Sequence, residues 1–466
     1  MAFDVSAAAK KYLPDALRDI KRLVAIESVQ GEAKEGKPFG EGVDRALQEA
    51  LKISRELGME TANVDGYVGY AQIGEGEKLI GIVGHLDCVP LGEGWEHDPL
   101  GGEIVDGVIY GRGVSDDKGP SIAALYAMKI LMDSGVKLNS RIRFVFGTNE
   151  ETGMAGVDYY LAKEGDFDMG FTPDAGFPLC FGEKGGYHGH FSGATNTEGA
   201  KVKILSVKGG MAVNVVCDKV VLTCNAGQYA EALKASFVEY AKAADMTCQV
   251  EDEGENTLLT LNGKAAHAST PELGVNAISY LMKFVAECEL FDSPFAKGYA
   301  KVIGLDYSGA NCGMKMADEY GELTFNVGII GGTDFSTYAT IDIRYPLTLT
   351  APEFKVKADE MEKTIIQAGL NMDGSGMGKS LYKAPDSPMI NALYDAYVKV
   401  TQDTVNKPFT MGGGTYAKHF DSIVAFGAGF PNEESGAHMA NEHVDVESIQ
   451  KCMEIYTHAL MNLLAL

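Results

Sequence analysis

The sequence predicts an α/β protein whose catalytic domain is built on a mostly parallel sheet and is interrupted by an inserted α+β domain. Three features carry this reading. Helix-period and strand-period segments alternate from residue 43 to about 180, the texture changes to short strands and separate helices beyond Gly185, and long helical patterns return after about residue 385. A chain of 466 residues also exceeds the size one hydrophobic core normally serves, so two domains are expected. The expected boundaries are 1–185 and 386–466 for a discontinuous first domain, with 186–385 as the insert.

Each element follows from its residues. The start, MAFDVSAAAKKYLPDALRDIKRL, has helical amphipathic spacing and lacks the apolar core and small-residue cleavage site of a secretory leader. VDRALQEALKISRELG reads as a helix, KLIGIVGHLD as a buried strand, SIAALYAMKILMDSG as a helix opening near Pro120, and RIRFVFG as a strand. In the insert, GYHGHFSG, KVKILSV and TLLTLNGKAAH read as strands, while AGQYAEALKASFVEYAKAA and GVNAISYLMKFVAECEL read as helices. The C-terminal part carries the glycine run Met411 to Thr415 and ends in the helical VDVESIQKCMEIYTHALMNLLAL.

Composition excludes several function classes. Forty Lys and Arg against 65 Asp and Glu give a formal charge of -25, which repels phosphate backbones and anionic membranes, so nucleic acid is not an expected partner. No stretch approaches the roughly 20 apolar residues of a membrane span. The eight cysteines contain no C-x-x-C pair, and a chain of this size needs no disulfide staples. The protein is expected to be soluble and cytoplasmic, with reduced, buried thiols.

The chemistry-bearing residues fall in five clusters. His85-Leu86-Asp87 closes an apolar strand, where residues two apart point to one side; His85 would ligate a metal and Asp87 would hold its second ring nitrogen. Gly111 to Pro120, with Asp116 and Asp117, is a glycine-rich loop opening a helix, and a carboxylate there could bridge two cations or simply cap the helix. Thr148-Asn149-Glu150-Glu151-Thr152-Gly153 follows a buried strand. Two crowded carboxylates are costly unless cations neutralise them or one is a base, so one Glu suits a ligand and the other a general base. Asp174 in Thr172-Pro173-Asp174 adds a carboxylate at a strand end, and His438 and His443 come from the C-terminal segment. Ligands in parallel α/β sheets bind beyond the carboxyl ends of the strands, which is where these clusters fall. Nitrogen and oxygen donors without thiolate suit Zn2+, Mn2+ or Co2+. Five such ligands, one bridging, exceed the needs of a single open catalytic zinc, and imply two cations about 3.5–4 Å apart.

These motifs, in this order, resemble the aminoacylase/carboxypeptidase G/carnosinase family of dizinc metallopeptidases, and the length and large insert are most similar to its bacterial dipeptidase V branch. The resemblance covers essentially the whole chain through H-x-D, G-x-x-D-x-K-G, E-E, the P-D-A turn and H-x-x-N-E. It implies that His85 and Asp174 hold one metal, Glu151 and His438 the other, and Asp116 bridges both, with Glu150 as general base and Asp87 orienting His85. Motif register selects Asp116 over Asp117 and His438 over His443. The resemblance further implies that the insert acts as a lid. In it His267 would steady the scissile carbonyl's oxyanion, while Asn214 and Arg344 would hold the reacting region and the substrate's carboxylate. The loop Gly413-Gly414-Thr415 would add a carboxylate-binding turn.

The activity implied is cleavage of dipeptides with free termini by a zinc, manganese or cobalt enzyme, acting as a monomer, with a homodimer as the alternative. An N-acyl-amino-acid deacylase or a carboxypeptidase would use the same ligands. A non-catalytic peptide- or metal-binding protein would need neither Glu150 nor His267. The remaining histidines, His97, His188, His190, His419 and His458, match no motif, and Trp95 reads as packing.

Overall fold

The computed structural model describes residues 3–466, save the side chain of Ser375. The chain divides into two compact units. The first comprises Met1–Gly182, Leu381–Thr410 and Gly414–Leu466; the second comprises Glu183–Ser380 and Met411–Gly413.

In the first unit, helices α1 (Val5–Val24) and α2 (Glu41–Glu56) precede strands β1 (Glu60–Val64), β2 (Val68–Ile73) and β3 (Leu79–His85). The short hairpin strands β4 (Glu103–Val105) and β5 (Val108–Tyr110) lead to helix α3 (Lys118–Asp133), strand β6 (Arg141–Gly147), helix α4 (Ala155–Glu164) and strand β7 (Met169–Thr172). The main sheet runs β1-β2-β6-β3-β7, then through the strands Ile423–Ala425, Cys180–Glu183 and Leu381–Tyr382. Parallel pairing holds in its centre, β6 to β3, β3 to β7 and β7 to Ile423–Ala425, and both margins are antiparallel. Of the neighbouring strands in this sheet only β1 and β2 are joined by a short turn, the connection open to antiparallel neighbours.

Strand β3 is buried at every position, which explains its unbroken apolar run. Helix α3, apolar on nearly all sides, packs against β3, α1 and the last helix, Val446–Leu464. It begins at Lys118, two residues before the expected Pro120. A Cβ on Gly84 would lie 2.3 Å from Ser121 Oγ and 2.6 Å from Asp117 Oδ2, so the bare glycine allows the start of α3 to sit directly against the end of β3. The Asp116 loop and His85 are brought together by that contact.

The second unit is an antiparallel sheet in the order Thr247–Glu253, Asn256–Asn262, Lys219–Asn225, Lys203–Gly209, Ile330–Thr333, Ser336–Tyr345, Gly185–Ala194 and Asn371–Gly378. Thr324–Asn326 adds a short strand beside Ser336–Tyr345. Alternate residues of Lys219–Asn225 are buried, the signature of a sheet with one covered face. Helices Ala230–Ala243, Ala277–Glu287, Pro294–Val302 and Ala351–Gln367 contribute Leu233, Phe237, Leu281, Tyr299 and Phe354 to its core.

No disulfide joins the eight cysteines, and six are buried. Among the described residues no helix is long and apolar enough to cross a membrane.

Candidate active site

The carboxyl ends of the central strands place the predicted clusters together. His85 ends β3 in register with Gly147, the last residue of β6, so the Asn149-Glu150-Glu151 turn leaves the sheet beside it. Asp174 lies two residues beyond β7, and the Asp116 loop precedes α3. His438 arrives from the C-terminal segment with a left-handed backbone, φ 66°.

Two groups of possible metal donors result. His85, Asp116 and Asp174 form one, Asp116, Glu151 and His438 the other, and within each the donor atoms lie within 4.8 Å of one another. Asp116 is shared, with Oδ1 2.9 Å from His85 Nε2 and Oδ2 3.0 Å from His438 Nε2. Asp174 Oδ1 is 3.7 Å from His85 Nε2, and Glu151 Oε2 is 3.2 Å from His438 Nε2. The alternatives stand elsewhere. Asp117 is buried and accepts from the His85 backbone N–H at 3.0 Å, and His443 Nδ1 faces the Asn441 carbonyl at 2.8 Å.

The donor set fits two divalent cations. His85 Nδ1 donates to the Asp87 backbone carbonyl at 3.0 Å, so its proton is committed there and the Nε2 lone pair is directed at carboxylate oxygens. A lone pair facing an anionic oxygen is repulsive unless a proton or a cation lies between them. Without cations protons take that place. Burial opposes charging His85, yet Asp174 and Asp116 outweigh it and hold its pKa well above the histidine range. The carboxylates Asp116 and Glu151 push His438 up to about 10. Burial also raises Asp174 to about 6, whereas Asp116, despite burial, is held below its ordinary value by His438 and His85. Burial first, then the charge of Asp174, pushes Glu150 well above the usual carboxylate range, an environment suited to a proton-accepting group once positive charge is nearby.

Asp87 faces His85 Nδ1 twice, with its main-chain carbonyl at 3.0 Å and its carboxylate Oδ1 at 3.6 Å. The same carboxylate also accepts the backbone N–H groups of Glu150 and Glu151, each at 3.0 Å. Two oxygens matching two successive N–H groups explain how adjacent glutamates leave regular strand geometry and share one site. H-x-D spacing alone does not distinguish these two uses of the Asp.

Two further residues escaped sequence reasoning. Tyr416 lies edge-on to the His85 ring, centroids 6.3 Å apart, and its hydroxyl accepts from Asn149 N at 3.3 Å. Glu442 is fully buried and joins the His438 segment to the Asp116 loop. Its place in H-x-x-N-E was the available signal.

In the second unit, an isolated bridge between Val215 and His267 and a 2.9 Å hydrogen bond from Ala268 N to Asn214 O set Asn214 beside His267, both exposed. Ser269 N donates to His267 Nδ1 at 3.2 Å, which leaves Nε2 as the protonated, donating nitrogen. Partial burial of the ring and the Arg344 guanidinium lower its pKa. Arg344 Nε and Nη2 bind the buried Asp342 carboxylate at 2.7 and 2.8 Å, and Nη1 donates to Gly412 O at 3.3 Å. One guanidinium edge is therefore already engaged, and only the Nη1–Nη2 edge remains for a bidentate ligand.

Gly414 and Thr415 belong to the first unit. Thr415 is buried, and its hydroxyl caps the short turn that follows by accepting from Ala417 N at 3.1 Å. Trp95 packs against the Arg112 guanidinium at 5.2 Å, His97 stacks on Tyr110, and His419 pairs with Asp158.

Comparison with known proteins bears on this arrangement. Residues 81–462 match the model of Peptidase family M20/M25/M40. The chain belongs to that family. The YtjP protein of Bacillus subtilis is 34% identical over 482 residues, spanning 99% of this chain and 100% of the relative. A beta-Ala-Xaa dipeptidase of Lactobacillus delbrueckii subsp. lactis is 33% identical, with 99% of this chain and 98% of the relative covered. The crystal structure of human carnosine dipeptidase 1 shares the fold, with a TM-score of 0.59 at 16% identity over 99% of this chain and 98% of the other. Within Peptidase family M20/M25/M40, then, this chain carries a donor set for two cations at the carboxyl edge of its sheet.

Proposed function

We propose that the chain is a metal-dependent dipeptidase that hydrolyses dipeptides with free termini, with zinc as its native metal and manganese or cobalt as substitutes. The observation that carries this reading is the pair of donor groups sharing Asp116, with Glu150 beside them and held by Asp87. Kinship with a beta-Ala-Xaa dipeptidase supports the substrate class.

His85 and Asp174 would hold one cation, Glu151 and His438 the other, and Asp116 both. When bound, the cations supply positive charge that acidifies water and polarises a carbonyl. Glu150 accepts the proton of the attacking water and returns it to the leaving amine. His267 donates through Nε2 to the oxyanion, Asn214 holds the reacting region, and Arg344 takes the terminal carboxylate on its free edge. Gly414 and Thr415 form the carboxylate-binding turn, with Thr415 presenting backbone groups since its hydroxyl caps a turn. The second unit acts as the lid, and the protein works as a monomer in the cytoplasm.

Amine release from free dipeptides, N-acetylated dipeptides, tripeptides and N-acyl amino acids tests the assignment. Cleavage confined to free dipeptides is expected; cleavage of the acylated compounds alone would make the chain a deacylase. Arg344→Lys keeps a charge for Asp342 but loses the planar fork. It is expected to raise KM by roughly tenfold or more, the worth of a charge-assisted hydrogen bond, with little change in kcat. An unchanged KM in steady-state kinetics would remove Arg344 from the substrate site.

A further inference from the structure

We infer that Glu442 is a positioning residue for the dinuclear centre, holding the bridging Asp116 and the ligand His438 in register through one carboxylate; the inference rests on the metal reading above. Glu442 follows His438 by four residues and is fully buried. Its Oε1 accepts three backbone N–H groups, Gly113 at 3.0 Å, Ser115 at 2.9 Å and Asp116 at 3.1 Å. Three convergent amides form an anion-binding nest, and here the anion belongs to the protein itself. The other oxygen, Oε2, receives Arg112 Nη1 at 2.8 Å.

Arg112 is also buried and fixed from several sides. Its Nη2 donates to the carbonyls of Pro90 and Leu91 at 3.3 and 3.2 Å, and its guanidinium lies 5.2 Å from the Trp95 ring. Two further hydrogen bonds reinforce the same junction, since Gly111 N donates to the Glu442 carbonyl at 3.0 Å and Glu96 N to the Asn441 side-chain Oδ1 at 2.7 Å. Loops 90–97 and 111–117 and the segment carrying His438 thus meet around the Arg112–Glu442 pair.

The geometry concerns Asp116 in particular. Asp116 is the one residue common to both donor groups, and its own backbone N–H is among the three that Glu442 receives. A shift of that amide moves both bridging oxygens at once, whereas a shift of any other ligand affects one group. The sole role of an ordinary buried ion pair would be to stabilise the fold, and it would not need three amides of the bridging loop.

Glu442→Gln separates the roles. The Gln carbonyl could still accept the amides, but its Nε2 would confront Arg112 Nη1, donor against donor. Loss of a residue that orients metal ligands typically weakens binding by about 10–100-fold. The measurement is Mn2+ titration of the metal-free protein with electron paramagnetic resonance of the loaded form. Wild-type protein should bind two ions with an exchange-coupled spectrum; Glu442→Gln should bind them about 10–100-fold more weakly, with a larger uncoupled fraction. Arg112→Lys, which keeps a positive partner for the carboxylate, should fall between the two and serves as the deciding variant if Glu442→Gln does not fold. Wild-type affinity and coupling in the deciding variant, with only a lower melting temperature, would overturn the inference. Wild-type protein that binds no Mn2+ would instead sink the metal reading on which it rests.

Discussion

Chelation is expected to abolish dipeptide hydrolysis, and restoring Zn2+, Mn2+ or Co2+ in turn is expected to recover it. The predicted loss is on the order of 10³-fold or more, because the bound ions are asked to supply several kcal/mol of transition-state stabilisation. The metal-free protein should also carry a distinct pH signature. Burial raises Asp174 from 3.8 to about 6 in the folded state, so its neutral form is favoured by folding. That contribution is fully present below pH 3.8 and is lost as pH rises through about 6. Thermal melting of the metal-free protein should therefore lose stability across that window. Protein loaded with metal should not show this loss, since a cation stabilises the ionised carboxylate. Undiminished activity in the presence of chelator, with metal analysis showing none bound, would refute the mechanism.

Glu150→Gln is expected to retain both metals and lose turnover by about 10²–10⁴-fold, the usual worth of a positioned acid-base group. The amide cannot accept the water proton, yet the turn should persist, because Asp87 grips the backbone N–H groups of Glu150 and Glu151 and not the Glu150 side chain. Stopped metal binding would indicate that Glu150 is a ligand, and near-normal turnover would remove it from the chemistry. Steady-state kinetics together with metal analysis separates the three cases.

The legibility of this protein in its sequence was uneven, for physical reasons. Strand β3 and helix α3 were readable because burial on all sides leaves an unbroken apolar run, and three of the clusters were readable because His85 closes a buried strand while Glu150-Glu151 and Asp174 follow β6 and β7. The shared use of Asp116 was available from its register with Lys118, and the structure brings it 2.9 and 3.0 Å from the two histidines. The antiparallel margins of the sheet were not readable, because strand direction is set by loop closure and not by side-chain period. The grip of the Asp87 carboxylate on the Glu150-Glu151 turn was not readable, since backbone amides leave no trace in the sequence. The resemblance implies a substrate role for Arg344, and it gives no sign that Asp342, two residues earlier on the same strand, engages one edge of the guanidinium. Glu442 was visible only as a letter in a motif; its role depends on three amides more than 300 positions away.

The most direct test of the central claim is anomalous diffraction from crystals of the protein loaded with Zn2+ or Mn2+. Two peaks are predicted, one bounded by His85, Asp116 and Asp174 and the other by Asp116, Glu151 and His438, with Asp116 contributing one oxygen to each. A single peak, or peaks that leave Asp116 unligated, would contradict the account.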